Sequence, residues 1–206
     1  MKSLVVATRN PGKVREIQEI LAAFPQLEIV SLEALGIEET PEEDALEVFD
    51  TFEENALAKA RHFARLTGHL TLAEDSGICV DALGGAPGVR SRRFAPGPGL
   101  RGAEQDEANN NHLLQQLAGM PESGRGARYV CAAALVGEDR EEVFLGACEG
   151  VVLQEPRGTG GFGYDPLFYI PSERCTFGEL APNRKNEISH RGRAMRAMVK
   201  VLAALD

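Results

Sequence analysis

The chain has 206 residues, 43% of them hydrophobic, which is enough to bury the core of one domain or of two small lobes. Its 22 basic residues face 31 acidic ones, a net charge of −9, and this excludes a nucleic-acid partner held by many phosphate contacts. A single nucleotide remains compatible, because one small site can be locally positive and a bound metal changes the local sum.

The first eight residues carry too short an apolar stretch for a signal peptide, and no run approaches the length of a membrane span. Leu4 to Ala7 reads as a strand that ends at the turn Arg9-Asn10-Pro11-Gly12. From Lys13 the positions Val14, Ile17, Ile20, Leu21 and Phe24 share one helical face. Exposed backbone N–H groups at that glycine turn, with Lys13 in the first helical turn, suit a phosphate; a plain tight turn with a solvated lysine is the alternative. The turn is no P-loop, since Ala7 and Val14 stand where glycine and Ser or Thr are required.

Glu28 to Ser31 predicts a second strand, and residues 38–54 form an acidic, exposed stretch. Thr51-Phe52-Glu53-Glu54 has the form of a capping box, so a second helix starts there with Phe52, Ala56, Ala60 and Phe63 inward. Glu74-Asp75-Ser76-Gly77 then separates two apolar runs, Leu70 to Ala73 and Ile78 to Leu83. Adjacent acids at the mouth of a strand need pairing, solvation or a metal. The acidic stretch offers further oxygen ligands for a magnesium ion that keeps several waters.

Residues 104–118 read as a helix with Leu113, Leu114 and Leu117 inward. Tyr129 to Val136 and Val143 to Leu153 flank the polar turn Gly137-Glu138-Asp139-Arg140, a hairpin that makes the sheet mixed. Gly158 to Gly163 matches GxGxxG spacing, but Tyr164-Asp165-Pro166 and an apolar strand follow where a dinucleotide fold needs a helix. Leu167 to Ile170 is that strand. Ser189 then caps a last helix with Met195, Met198, Val199 and Leu202 inward, and Lys185, His190 and Arg191 cluster about its start as a candidate anion or base site. Cys79, Cys131, Cys148 and Cys175 form no CxxC pair; the first three read as core filling, and reduced thiols suit the cytoplasm.

In this order the segments Ala7–Lys13, Thr51–Ala56 with Lys59-Ala60, Glu74–Gly77, Leu83–Val89, Gly160–Pro166 and Ser189–Gly192 resemble the inosine/xanthosine triphosphate pyrophosphatase family, over almost the whole chain. The resemblance implies an elongated α/β fold, a mixed sheet flanked by helices in two lobes with an active-site cleft between them, residues 1–206 acting as one domain. It implies hydrolysis of non-standard purine nucleoside triphosphates to monophosphate and pyrophosphate, with Mg2+ as cofactor and a homodimer as the assembly. Thr8, Arg9, Asn10, Pro11, Gly12 and Lys13 would hold phosphates. Asp75 would be the catalytic carboxylate that activates the attacking water and, with Glu74, a metal ligand; Ser76 would lie beside the substrate. Phe162, Gly163, Tyr164, Asp165, Lys185, His190 and Arg191 would form the base pocket. Arg9 stands where members often have glycine, and Glu74 where aspartate is common. Glu39, Glu47 or another carboxylate would supply the upstream metal ligand. A non-catalytic nucleotide-binding module and a different triphosphate phosphohydrolase are the alternative functions.

Overall fold

Three strands at one edge of the sheet are parallel, and the remaining strands extend it from there. The computed structural model describes residues 2–97 and 99–203. Its strands are β1 (Lys2–Val6), β2 (Leu27–Ser31), β3 (Leu70–Val80), β4 (Gly126–Gly137), β5 (Arg140–Val152), β6 (Phe168–Ile170) and β7 (Cys175–Thr176). They form one sheet in the order β2-β1-β3-β4-β5-β6-β7. β1 pairs in parallel with both β2 and β3, and β6 pairs antiparallel with β5 and β7, so the sheet is mixed as expected. The helices are α1 (Pro11–Leu21), α2 (Phe52–Thr67), α3 (Gly102–Gln116), α4 (Pro182–Ile188) and α5 (His190–Ala203). Among the described residues no helix is long and apolar enough to cross a membrane.

The chain divides into two compact units, residues 1–75, 131–146 and 189–206 in the first, and 76–130 and 147–188 in the second. In the first, β1 has neighbours on both edges, which is why Leu4, Val5 and Val6 are all buried and the strand is a continuous apolar run. α1 lays Ile17, Ile20 and Leu21 against Leu4, Val6 and Leu72, and α5 adds Ala194, Met195, Met198, Val199 and Leu202 to the same core. α1 starts two residues before the apolar periodicity suggests, because Asn10 caps it and Pro11, at its first position, has no N–H to lose. Thr51 caps α2 as expected, its oxygen accepting from the Glu54 N–H at 3.2 Å. The box is not reciprocal: the Glu54 carboxylate takes the Thr51 hydroxyl at 2.7 Å. Ser189 caps α5 by accepting from the Gly192 N–H at 3.1 Å.

In the second unit, Leu113 and Leu117 of α3 meet Ile78 and Val80 of β3 and the aromatic group Tyr129, Phe168 and Phe177. Leu114 is only partly buried at its margin. Gly77 is required where it stands, since a Cβ there would lie 2.4 Å from the Gly88 carbonyl oxygen. Arg125, almost fully buried, donates to the carbonyls of Leu117, Val152 and Leu153 at 2.7 to 2.9 Å. Cys131 and Cys148 are buried as expected, but Cys79 is only half-buried.

Three expectations need correction. The acids Glu74 and Asp75 do not lie at a strand mouth; β3 runs unbroken through them, because buried cations compensate the charge that would otherwise end the strand. The hairpin strands β4 and β5 are longer than their apolar runs, reaching back to Gly126 and forward from Arg140. Lys185, expected to cluster about the start of the last helix, lies in a separate short helix, α4.

Candidate active site

Two clusters of polar side chains stand out, one in each unit. In the first unit the turn after β1 is organised by Asn10, whose Oδ1 accepts from the backbone N–H groups of Gly12 and Lys13 at 2.9 and 3.1 Å. The Asn10 N–H itself donates to the Thr8 hydroxyl at 3.3 Å. Some of the backbone donors expected to be open to phosphate are therefore already engaged by the cap. Arg9 is also engaged: Nε and Nη2 bind Glu43 at 3.0 and 2.7 Å, and its nitrogens reach the carbonyls of Ile37 and Glu38 at 2.6 and 2.9 Å. It clamps the acidic stretch to the turn.

Lys13 extends its ammonium to within 3.1 Å of Glu74 Oε1. Burial works to lower the Lys13 pKa, and the charges of Glu74, Asp75 and Glu47 together overcome it, so the net direction is upward and the lysine is held as a cation. Glu74 is fully buried, and Arg191 donates to both of its oxygens, Nε at 2.8 Å and Nη2 at 2.7 Å. The third Arg191 nitrogen, Nη1, pairs with Glu16. The Cys131 thiol donates to the same carboxylate at 3.2 Å. Burial would raise the Glu74 carboxyl, but Arg191 and Lys13 hold it well below the usual range.

Asp75 is in a different setting. Its Oδ2 accepts from Asn55 Nδ2 at 2.9 Å, and Asn55 also ties both backbone groups of Phe49, so α2 couples this acid to the 47–50 segment. Burial raises the Asp75 pKa, Lys59 and Lys13 oppose it, and Glu47 adds to it, with a net upward direction. Lys59 spans the group, donating to Glu47 Oε1 and to the Glu74 carbonyl, both at 2.6 Å. Of the two upstream acids left open, Glu47 is the one whose charge reaches Asp75; Glu39 acts on Arg9. Asn55 and Lys59 have no role in the sequence reading of the site, although they are one turn apart on α2 and both buried, a visible signal for inward polar groups.

The second cluster is built on the glycine-rich loop. Asp165 Oδ2 accepts from the Phe162 N–H at 2.8 Å and from Lys185 Nζ at 2.6 Å. Gly161 permits this, since its φ is +73° and a Cβ there would meet Asp165 Oδ2 at 2.0 Å. The Lys185 ammonium lies 5.0 Å from the centroid of the Phe162 ring and 5.6 Å from that of Phe177. Tyr164 donates its hydroxyl to the Ser91 carbonyl at 2.8 Å, and burial raises its pKa. Gly163 is held by Asp106 and Asn110 of α3. Ser76, next to Asp75 in β3, is half-buried.

The expected residues thus fall into two groups. Lys13, Glu74, Asp75 and Arg191 come together in the first unit, with the charge of His190 felt at Glu74. Phe162, Gly163, Tyr164, Asp165 and Lys185 come together in the second. Arg191, expected in the base pocket, bonds through its guanidinium to both oxygens of Glu74 and to Glu16. Glu74 is likewise occupied by Arg191 and Lys13, which does not suit a metal ligand.

These features are those of a known class: the chain belongs to the Ham1 family, whose model matches residues 4–201. A dITP/XTP pyrophosphatase from Desulforamulus reducens is 47% identical over 204 residues, 98% of this chain and 96% of the relative. Another, from Symbiobacterium thermophilum, is 49% identical over 205 residues, 99% of this chain and 96% of the relative. The solved structure of a HAM1 protein from Coxiella burnetii superposes with a TM-score of 0.83 at 37% identity, covering 99% of this chain and 100% of that one.

Proposed function

We propose that the protein hydrolyses non-standard purine nucleoside triphosphates, those of inosine, deoxyinosine and xanthosine, to the monophosphate and pyrophosphate, keeping deaminated purines out of DNA and RNA. The names of the relatives support the substrate class. The observation that carries the reading is the buried Asp75 carboxylate, among the cations of Lys13 and Lys59 and next to the charge of Glu47. Such a group is suited to accept a proton near a polyanion. We take residues 1–206 as one catalytic domain, with Lys13 and Asp75 serving the triphosphate and the Phe162–Asp165 loop reading the base.

The Glu47 charge raises the proton affinity of Asp75, and a hard divalent cation held by the two carboxylates would relieve that repulsion. The proposed cofactor is Mg2+, held by Asp75 and Glu47; when bound it neutralises charge on the phosphate oxygens. Glu74 serves instead to fix Lys13. In the reaction the water oxygen bonds to the α-phosphorus, the bond from that phosphorus to the bridging oxygen of the β-phosphate breaks, and pyrophosphate departs. Asp75 takes the water's proton, while Lys13 and the Thr8–Gly12 turn steady the leaving group.

Hypoxanthine and xanthine carry a 6-keto acceptor where adenine carries a 6-amino donor. Lys185, His190 and backbone N–H groups are donors, and a donor left facing a donor is strongly disfavoured. A homodimer is the proposed assembly, from the family resemblance, and the cytoplasm the proposed compartment, in keeping with four free cysteines.

The test is to incubate the purified protein with inosine triphosphate, with and without magnesium, and to identify both products. Magnesium-dependent release of inosine monophosphate and pyrophosphate is expected. Orthophosphate would mark a different phosphohydrolase, and tight binding without turnover a nucleotide-binding module.

A further inference from the structure

The glycine-rich loop is pinned at three successive residues, and the pin at Gly163 comes from a helix that carries none of the residues assigned so far. Asp106 and Asn110 are one turn apart on α3 and so share a face. Asp106 Oδ2 accepts from the Gly163 N–H at 2.8 Å, and Asn110 Nδ2 donates to the Gly163 carbonyl at 3.0 Å. Gly163 has a φ of +62°, a conformation in which the chain turns sharply between Phe162 and Tyr164. Asn109, the residue before Asn110 on the same helix, accepts from the Ala95 N–H at 2.8 Å and donates to the carbonyls of Ser91 and Arg92. Tyr164 hooks onto the Ser91 carbonyl as well. One helix therefore fixes the loop directly at Gly163 and indirectly at Tyr164.

The Asn110 amide gives a second sign of purpose. Its Oδ1 is buried and has no hydrogen-bond partner among the described residues. A side chain free to choose would satisfy that oxygen. Donation to Gly163 sets the amide orientation instead.

We propose that Asp106 and Asn110 are positioning residues for purine recognition, holding the N–H and the carbonyl of Gly163 so that the Phe162–Asp165 loop presents its base-reading surface in one conformation. The proposal rests on the reading of that loop as the base site. Both residues act through the loop and leave the triphosphate end alone.

That division sets the experiment. Steady-state kinetics would be run for wild type, Asp106→Ala, Asp106→Asn, Asn110→Ala and Phe162→Ala, with inosine and adenosine triphosphates as substrates and inorganic tripolyphosphate as inhibitor. Asp106→Ala is expected to raise the KM for inosine triphosphate about tenfold or more, the scale of losing a hydrogen bond to a charged acceptor. Its preference for inosine over adenosine triphosphate should fall, its kcat should stay within about threefold, and tripolyphosphate should inhibit it as it does wild type. Asp106→Asn keeps an acceptor oxygen for Gly163 and should restore the wild-type pattern. Asn110→Ala tests the hold on the Gly163 carbonyl and serves if Asp106→Ala does not fold. A loss that extends equally to tripolyphosphate would overturn the proposal, because it would mean general unfolding of the unit. Unchanged KM and selectivity in the α3 variants, with both altered in Phe162→Ala, would overturn it while leaving the proposed function intact. If Phe162→Ala also left base selectivity untouched, the base-site reading and this proposal would fall together.

Discussion

Glu74 and Asp75 are consecutive in β3, yet Arg191 grips both oxygens of Glu74 at 2.8 and 2.7 Å while Asp75 accepts from the neutral amide of Asn55 at 2.9 Å. Successive side chains of a strand point to opposite faces, so one step along the chain exchanges one environment for the other. The first acid is part of a largely buried ion network with Lys13, Arg191 and Glu16, and its neighbour keeps a raised proton affinity. Two acids that look alike in sequence thereby stand in different surroundings, and under the proposed function only Asp75 handles a proton.

Replacing Asp75 by Asn should therefore damage turnover and spare the fold. The amide oxygen can still accept from Asn55, but it cannot take a proton from water. A fall in kcat of roughly 10² or more is expected, the scale of losing a positioned base, with little change in melting temperature. Pyrophosphate release from inosine triphosphate measures it. Near-normal turnover would remove Asp75 from the chemistry.

Glu74→Gln should do the reverse. It leaves Arg191 with only Glu16 as a carboxylate partner among the described residues and should destabilise by about 3–5 kcal/mol, as for breaking other buried pairs. The pH dependence follows from the direction of the shift. The folded-state pKa of Glu74 is depressed, so its stabilisation is fully present above the unfolded value of about 4.3 and is lost as pH falls through the lower folded value. Wild type should lose melting temperature across that acid range, and Glu74→Gln, already lower at neutral pH, should show a shallower decline there. Parallel curves for the two proteins would contradict the assignment.

Glu47→Gln probes the metal. If Glu47 and Asp75 hold the cation together, the magnesium concentration for half-maximal activity should rise tenfold or more, about the scale seen when groups around a metal are removed. Activity should partly recover at high magnesium. A titration with the same midpoint as wild type would move the ligand elsewhere in the acidic stretch.

Much of the fold could be read from local signals. The β1–α1 turn, the cap at Thr51 and the inward face of α5 each depend on residues close in sequence, and each is where periodicity and capping chemistry put it. The unbroken course of β3 could not be read this way. The cation that lets Glu74 sit inside a strand is Arg191, 117 residues away, and a local reading sees only two acids beside a glycine. The same distance hid the role of Arg191, which looks like an exposed base donor until Glu74 and Glu16 are brought to it. Asp106 and Asn110 were hidden for a related reason, because polar residues on a helix read as a solvated face unless the loop they hold is known.

Arg9 is the last residue whose role changes once its partners are seen. It stands in the turn expected to bind phosphate, but its nitrogens reach Glu43 and the carbonyls of Ile37 and Glu38, and its guanidinium carbon lies 5.9 Å from the centre of the Phe63 ring. Arg9→Gly should loosen the 37–43 segment with a stability change of no more than about 1 kcal/mol, since partly exposed ion pairs contribute little. Amide exchange should quicken at Glu43, whose N–H donates to the Thr40 carbonyl at 3.1 Å. The KM for inosine triphosphate and the inhibition by tripolyphosphate should each change less than about threefold, because no strong phosphate contact is lost. A tenfold loss of tripolyphosphate inhibition without faster exchange at Glu43 would return Arg9 to the phosphate site.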